Sequence, residues 1–254
     1  MCLIFLSVNS HPRYQLILAG NRDEFHSRPT APAEFWKDSP EVLAGRDLLA
    51  KGTWLGVTRK GRVSLITNYR DPKKINPSAP SRGHLVSDFL TSTDSGEKYL
   101  LDVLSRGSMY NGFNLIVGTA KELWHYSNYG NGVQAVQRGF YGLSNALLDT
   151  PWPKVELGKS LLKPVLERNS VDPEAVFDVL YNDKPAGDDR LPDTGVGLEW
   201  ERALSAMFIK SEKYGSRCST LLLVDRNNRV QFSERVYDLV TFAHTTRHFE
   251  FDIP

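Results

Sequence analysis

The chain has 254 residues, and 31 lysine and arginine residues against 30 aspartate and glutamate residues give it a net charge of +1. That balance supplies no electrostatic footprint for DNA, RNA or an anionic membrane. A chain of this length buries enough surface to fold without disulfides or metals, so its two cysteines indicate free thiols instead of a disulfide framework.

The first eight residues are apolar, but they lack the basic segment and the length of a secretory signal. No later segment approaches about 18 uninterrupted apolar residues, the length needed to span a bilayer. We therefore expect a cytoplasmic protein that has no transmembrane segment and whose cysteines are reduced.

Pairs of β-rich segments, each pair joined by a short connection, indicate hairpins. The pairs are 2–8 with 14–20, 53–58 with 62–67, 113–118 with 121–126, and 218–225 with 229–237. In the second pair, Gly61 supplies the positive φ that such turns commonly need.

Helical apolar spacing and capping residues predict helices over 82–92, 95–105, 154–167 and 172–181. Asp172 followed by Pro173 is a strong start signal for the last of them. Pro164 is expected to kink or divide the third helix. The stretch 183–200, rich in proline, glycine and acidic residues, is the best candidate for a loop or lid.

Strands and helices come in blocks along the chain, without a regular alternation. This order predicts an α+β fold of antiparallel sheets with helices on their outer faces. No composition shift or linker divides the sequence, so we expect a single domain over residues 1–254. The six histidines are scattered without metal-ligand spacing, and we therefore predict no metal site.

Cys2 is the first candidate functional residue, because it follows the initiator methionine. Removal of Met1 would leave a cysteine with a thiol and an α-amine, and such an amine can act as the base for its own nucleophile. A retained Met1 would block that amine. The structural alternative is a buried thiol at the start of a strand.

A dense polar cluster, Asn21-Arg22-Asp23-Glu24, ends a strand that otherwise looks buried. An antiparallel hairpin brings this end back towards Cys2, so Arg22 would lower the pKa of the thiol and either Asp23 or Glu24 would hold the amine. The alternative is an arginine–carboxylate pair that fixes a turn. Because side chains alternate along a strand, only one of the two acids easily reaches Cys2.

This cluster after Met1-Cys2 resembles the NRDE family, also called the transport and Golgi organisation 2 family, over nearly the full length. Further matching motifs are Phe25-His26-Ser27-Arg28-Pro29, Gly52-Thr53-Trp54-Leu55-Gly56, Thr67-Asn68-Tyr69, Tyr110-Asn111-Gly112-Phe113-Asn114-Leu115, Tyr141-Gly142-Leu143-Ser144-Asn145, Thr150-Pro151-Trp152 and Tyr214-Gly215-Ser216-Arg217.

That family is in turn similar to N-terminal nucleophile (Ntn) hydrolases of the bile-salt hydrolase and penicillin V acylase type. The resemblance implies a four-layer αββα sandwich. It also implies Cys2 as nucleophile, Arg22 as its nearby cation, Asn68 and Asn145 as oxyanion-binding amides, and Arg217 as a distant arginine. In those hydrolases the acid lies three residues after the arginine. That position holds Phe25 here, so the acid assigned to the amine is Asp23 or Glu24.

The family association implies handling of haem or of acyl-coenzyme A, each of which joins a broad apolar surface to anionic groups. We expect a pocket that binds such a ligand and hands it over between donor and acceptor proteins, with haem as first choice. Either Cys2 or a histidine could serve as the axial ligand of the haem iron. The ligand-binding candidates are Asn21, Glu24, Arg28, Trp54, Tyr69, Arg70 and Trp152, and Arg46 and Arg82 also lie close to the motifs.

Two other functions stay open. In the first, Cys2 attacks an amide or thioester and forms an acyl-enzyme intermediate, a reaction that requires no cofactor. In the second, the chain is a scaffold with an empty inherited pocket. Polar clusters inside apolar strands cost stability, which disfavours the scaffold.

Overall fold

The computed structural model describes residues 2–254, in which three blocks of strands are separated by a block of two helices and a block of three. The strands are β1 (Cys2–Val8), β2 (Tyr14–Phe25), β3 (Thr30–Phe35), β4 (Val42–Asp47), β5 (Leu55–Thr58), β6 (Arg62–Asn68), β7 (Phe113–Thr119), β8 (Leu123–Ser127), β9 (Gln134–Ala135), β10 (Gly139–Leu143), β11 (Tyr214–Asp225), β12 (Arg229–Tyr237) and β13 (His244–Asp252). The helices are α1 (Gly83–Thr91), α2 (Gly96–Arg106), α3 (Pro153–Leu166), α4 (Pro173–Leu180) and α5 (Leu198–Leu204).

Two antiparallel sheets organise these elements. One has the strand order β10-β1-β2-β11-β12-β13, and the other has the order β3-β4-β5-β6-β7-β8-β9. The first sheet joins the N-terminal hairpin to the C-terminal strands through the pairing of β2 with β11. The second sheet is built from the middle of the chain, with β6 paired to β7.

Three apolar layers separate the sheets and helices. Leu18 of β2, Leu65 of β6 and Leu222 of β11 belong to the layer between the two sheets. The helices α3 and α4 pack on the outer face of the first sheet, and α1 and α2 pack on the outer face of the second. The predicted α+β fold of two antiparallel sheets between helical layers is therefore confirmed.

The predicted hairpins and four long helices are present with small shifts of their ends. The helix α3 continues through Pro164 as one element instead of dividing there. The sequence patterns do not predict β3, β4, β9, β10, β13 or α5. Most of these are short or lie at sheet edges, where the apolar pattern is weak, and α5 lies at the end of the predicted loop 183–200.

Strand ends from both sheets meet at one side of the sandwich. Cys2 at the start of β1 is in register with Arg22 near the end of β2, and Arg22 is in turn in register with Cys218 of β11. Across the sandwich, β6 ends at Asn68. None of the helices within residues 2–254 is long and apolar enough to cross a membrane.

Candidate functional site

A cavity of about 750 Å³ opens where these strand ends meet. Nine of the predicted site residues line it: Cys2, Arg22, Asp23, Glu24, Arg28, Trp54, Asn68, Tyr69 and Arg70. The other lining residues come mainly from the connection 71–83 that follows β6 and from residues 196–204. This volume lies within the range of small-molecule and cofactor sites.

Cys2 lies in the wall of this cavity and is only 7% exposed. Burial raises the pKa of the thiol and the charge of Asp23 raises it further, whereas Arg22 lowers it. The raised pKa leaves the thiol protonated at neutral pH, so a nucleophilic role requires a base. The predicted base depends on the fate of Met1, which lies outside the described residues.

Arg22 is fixed against the opposite sheet. Its guanidinium carbon lies 4.2 Å from the ring centroid of Trp54, and its Nη1 donates a hydrogen bond of 3.2 Å to the hydroxyl of Thr30. Stacking on an indole stabilises a guanidinium and restricts its position. Arg22 therefore presents a fixed positive charge beside Cys2.

The two acids of the polar cluster point in different directions, as strand alternation requires. Glu24 forms long ion pairs with Arg22 at 3.7 Å and with Arg28 at 3.9 Å. Asp23 accepts a hydrogen bond of 2.5 Å from the hydroxyl of Ser216 in β11. Burial raises the pKa of Asp23, and the positive charge of Lys154 opposes that rise.

The other face of β2 holds Asn21 away from the cavity. Its side-chain amide donates to the carbonyl oxygens of Leu180 and Met207, both at 2.8 Å, and its carbonyl accepts from the hydroxyl of Ser219 at 2.6 Å. These three bonds tie β2 to the end of α4, to the connection between α5 and β11, and to β11 itself. Asn21, predicted as a ligand-binding residue, lies outside the cavity lining and braces the first sheet.

Asn68 and Asn145 are neighbours, but only Asn68 lines the cavity. The side-chain amide of Asn145 donates to the backbone carbonyl of Asn68 at 2.9 Å, and the backbone carbonyl of Asn145 accepts from the N–H of Arg70 at 2.7 Å. Asn145 is 1% exposed. It therefore supports the chain at Asn68 from behind, and its role in oxyanion binding stays a prediction.

Arg70 forms a buried ion pair of 2.7 Å with Glu201 of α5. Its guanidinium carbon lies 4.6 Å from the ring centroid of Trp152, which places Trp152 behind Arg70 and outside the lining of the large cavity. The second carboxylate oxygen of Glu201 accepts from the backbone N–H and the hydroxyl of Thr194. Glu201 thus fixes residues 194–204 as one wall of the cavity.

Arg217, the predicted distant arginine, lies outside the cavity lining. Its Nη1 donates to the carbonyl oxygens of Phe25 at 3.0 Å and of Arg28 at 2.6 Å. It therefore fixes the turn that carries Arg28, and its role as the distant arginine of the site stays a prediction.

Arg82 and Lys154 are two further cations near the site. Arg82 lines the cavity, donates to the carbonyl of Gly112 at 2.8 Å, and has no carboxylate within 4.0 Å among residues 2–254. Lys154 is 2% exposed, and burial lowers its pKa to about 8. No sequence signal marks Lys154, because a lysine in the first turn of a helix normally faces solvent.

The amino-acid sequence of this chain matches a known protein family and several of its members. Residues 1–239 match the family model described as Transport and Golgi organisation 2. The chain is 39% identical to the mouse Transport and Golgi organization 2 homolog, with 100% of this chain and 99% of the mouse protein covered. It is 38% identical to the human homolog, with the same coverage.

Among solved structures, the chain resembles a Caenorhabditis elegans ortholog of N-acylethanolamine-hydrolyzing acid amidase. The TM-score is 0.50 at 12% identity, and the match covers 87% of this chain and 92% of that one. At this identity the likeness concerns the fold, which is that of an Ntn hydrolase. The resemblance inferred from the sequence motifs is therefore confirmed for both the family and the fold.

Proposed function

We propose that this chain, which belongs to the Transport and Golgi organisation 2 family, binds an amphipathic anionic metabolite in its cavity and hands it over to an acceptor protein. Haem is the first choice of ligand, and acyl-coenzyme A is the second. The proposal concerns the ligand class and the handover step.

The composition of the cavity wall is the observation that carries this proposal. Its apolar members include Trp54, Tyr69, Trp200 and Tyr214, while arginines 22, 28, 70 and 82 and Lys74 supply positive charge. Of these cations, Arg82 is the one free of a carboxylate within 4.0 Å in the described part of the chain. An apolar wall beside a guanidinium suits a ligand with a hydrophobic body and a carboxylate or phosphate.

Haem fits this wall as cargo. The described lining residues include no histidine, so Cys2 is the candidate axial ligand of the haem iron. Metal ligation by cysteine requires the thiolate, and burial raises the pKa of Cys2. Weak axial ligation follows, and it suits a carrier because the ligand must be released.

The test is titration of the purified full-length chain with haem and, separately, with a long-chain acyl-coenzyme A. We expect 1:1 binding of at least one of them and a loss of affinity of about tenfold or more in Arg82→Leu, since a charge-assisted hydrogen bond contributes about 1.5–3 kcal/mol. The Arg82→Lys variant keeps the charge, so its affinity should lie between those of Arg82→Leu and the unmodified chain.

The matched control is Arg13→Leu, because Arg13 is exposed and lies outside the cavity lining. This variant should bind as the unmodified chain does. Absence of 1:1 binding for both ligands, or equal affinities for the Arg82→Leu variant and the unmodified chain, would refute the proposal.

A second candidate is an Ntn-type hydrolase, favoured by the register of Cys2 with Arg22 and by Asn68 in the same cavity wall. In this reaction the Cys2 sulfur adds to an amide or thioester carbonyl, and the leaving amine or thiol departs with the thiol proton. Water then hydrolyses the acyl-cysteine, releasing a carboxylic acid and restoring the thiol. The solved amidase with the similar fold is described as cleaving N-acylethanolamines, so an acyl amide is the first substrate to test.

Cys2→Ala separates the two candidates. A carrier keeps its affinity in this variant, with at most a small loss from haem ligation. A hydrolase loses all release of fatty acid from N-acylethanolamine or acyl-coenzyme A while it still binds them. Turnover that persists in Cys2→Ala would rule out the hydrolase mechanism.

A further inference from the structure

Three large apolar side chains surround the mouth of the cavity and remain exposed. Phe25 is 55% exposed, Ile75 is 64% exposed and Trp200 is 46% exposed, and all three line the cavity. We call these three residues the apolar rim. Apolar side chains that are exposed together around an opening mark an interaction surface more often than isolated ones do.

Contacts through Tyr214 join two members of the apolar rim, and the third member lies on the adjacent connection. The rings of Phe25 and Trp200 both pack edge-on against Tyr214, with centroid distances of 5.2 and 6.1 Å. Ile75 follows the short 3-10 turn Pro72–Lys74 on the neighbouring connection. That turn reaches the wall segment, because a Cβ atom at Gly195 would lie 3.6 Å from Cε of Lys73.

The charge around the mouth is uneven although the whole chain is nearly neutral. The connection 71–83 carries Lys73, Lys74 and Arg82 against a single acid, Asp71, whereas the preceding Arg70 is buried and neutralised by Glu201. Lys73 and Lys74 are exposed beside Ile75. The neighbouring wall segment 193–200 carries Asp193 and Glu199 and no cation. Electrostatic attraction to an anionic surface is therefore concentrated on the connection 71–83.

We propose that the apolar rim docks the mouth of the cavity onto a lipid bilayer that contains anionic headgroups. Trp, Phe and Ile side chains partition into the interfacial region of a bilayer, where the indole keeps its polar edge near the headgroups. Lysines next to such side chains bind anionic lipids and strengthen the attachment. The partner is thus a membrane surface, and the attachment is peripheral.

The position of the rim around the opening favours a bilayer over a protein partner. Docking in this orientation lets the apolar body of a ligand pass between the bilayer and the cavity without crossing water. This advantage rests on the proposed function, but the docking itself is a separate property of the surface and is measured without a ligand.

The test is flotation of the full-length chain with vesicles of phosphatidylcholine alone and with vesicles containing 30% phosphatidylserine, a composition chosen to add anionic headgroups. We expect measurable flotation that rises several-fold with phosphatidylserine. The double variant Ile75→Ser/Trp200→Ser should partition about tenfold less than the unmodified chain. Lys73→Glu, which alters no lining residue, should remove most of the gain from phosphatidylserine.

Matched controls use exposed residues outside the cavity lining. Leu101 and Val240 are 53% and 85% exposed, so Leu101→Ser/Val240→Ser removes similar apolar surface elsewhere. Lys60→Glu makes the same charge change in the turn between β5 and β6. Both controls should float as the unmodified chain does. Urea denaturation of every variant verifies that it is folded.

The proposal fails if the unmodified chain does not float with either vesicle, or if the rim variant and its control float equally. It also fails if flotation depends on the rim but is unaffected by both phosphatidylserine and Lys73→Glu, because the anionic headgroups are part of the proposal. Ligand titration without vesicles tests the proposed function separately, so either proposal can fail alone.

Discussion

Alternate residues of the segment 21–24 lie in two different environments. Arg22 and Glu24 face the cavity, where their ion pairs are long and partly solvated. Asn21 lies outside the cavity lining and makes short hydrogen bonds to Leu180 and Met207, whereas Asp23 lines the cavity but is held by a short hydrogen bond from Ser216 of β11. A continuous polar motif in a strand therefore has two purposes, since alternation along the strand turns Asn21 into structural support while Arg22 and Glu24 line the ligand space.

The largest expected effect is on the supporting face. Asn21→Ala removes three hydrogen bonds and leaves the carbonyls of Leu180 and Met207 buried without this donor. We expect the free energy of unfolding to fall by about 4 kcal/mol, measured by urea denaturation. Asn68→Ala, on the cavity side, should lower the free energy of unfolding by less than about 1 kcal/mol. Equal losses at both sites would contradict the division into two faces.

The pH dependence of the free energy of unfolding tests a second supporting residue, Lys154, which lies outside the cavity lining. Its pKa is about 8 in the folded chain against 10.5 when solvated, so between these values the unfolded chain binds more protons. The contribution of Lys154 to stability therefore rises as pH increases through this window, by up to about 3 kcal/mol. Lys154→Met should lack this rise, as measured by urea denaturation at pH 7.5 and at pH 10.5. Parallel pH profiles for both proteins would show that Lys154 is solvated.

Glu234 is buried between the two sheets, and its contribution to stability should change with pH in the opposite direction. Burial raises its pKa to about 7 from 4.5, although the N–H of Ala33 donates to its carboxylate at 2.6 Å. Between these values the folded chain binds more protons, so the contribution of Glu234 to stability falls as pH rises, by up to about 3 kcal/mol. Thermal unfolding of Glu234→Gln from pH 4.5 to 7 should not show this fall. An unchanged slope in this variant would assign the titration to another group.

The smallest expected effect on stability is at Glu24. Its ion pairs are 3.7 and 3.9 Å long and partly exposed, so Glu24→Gln should change the free energy of unfolding by less than about 1 kcal/mol. Affinity for an anionic ligand should rise about threefold, because Arg22 and Arg28 lose a competing carboxylate. Weaker binding in this variant, measured by the same titrations as above, would indicate that Glu24 holds these arginines in place.

The sequence determined the elements whose signals are local. Alternation and turn residues identified the long hairpins, and Asp172 with Pro173 placed the start of α4 within one residue. The position of Cys2 opposite Arg22 follows from hairpin geometry alone. The motifs that mark the family also lie within short stretches of chain, so the resemblance required no tertiary information.

Only the tertiary structure decided which polar residues line the cavity and which support it. Asn21 stands beside the lining residue Arg22, and Asn145 and Trp152 lie in family motifs, yet all three brace the site from outside the lining. Lys154 and Glu201, far along the chain, reach it through helix packing, and no local pattern distinguishes them from surface residues. Strand pairing and packing bring distant residues together, and a single sequence does not record those long-range contacts.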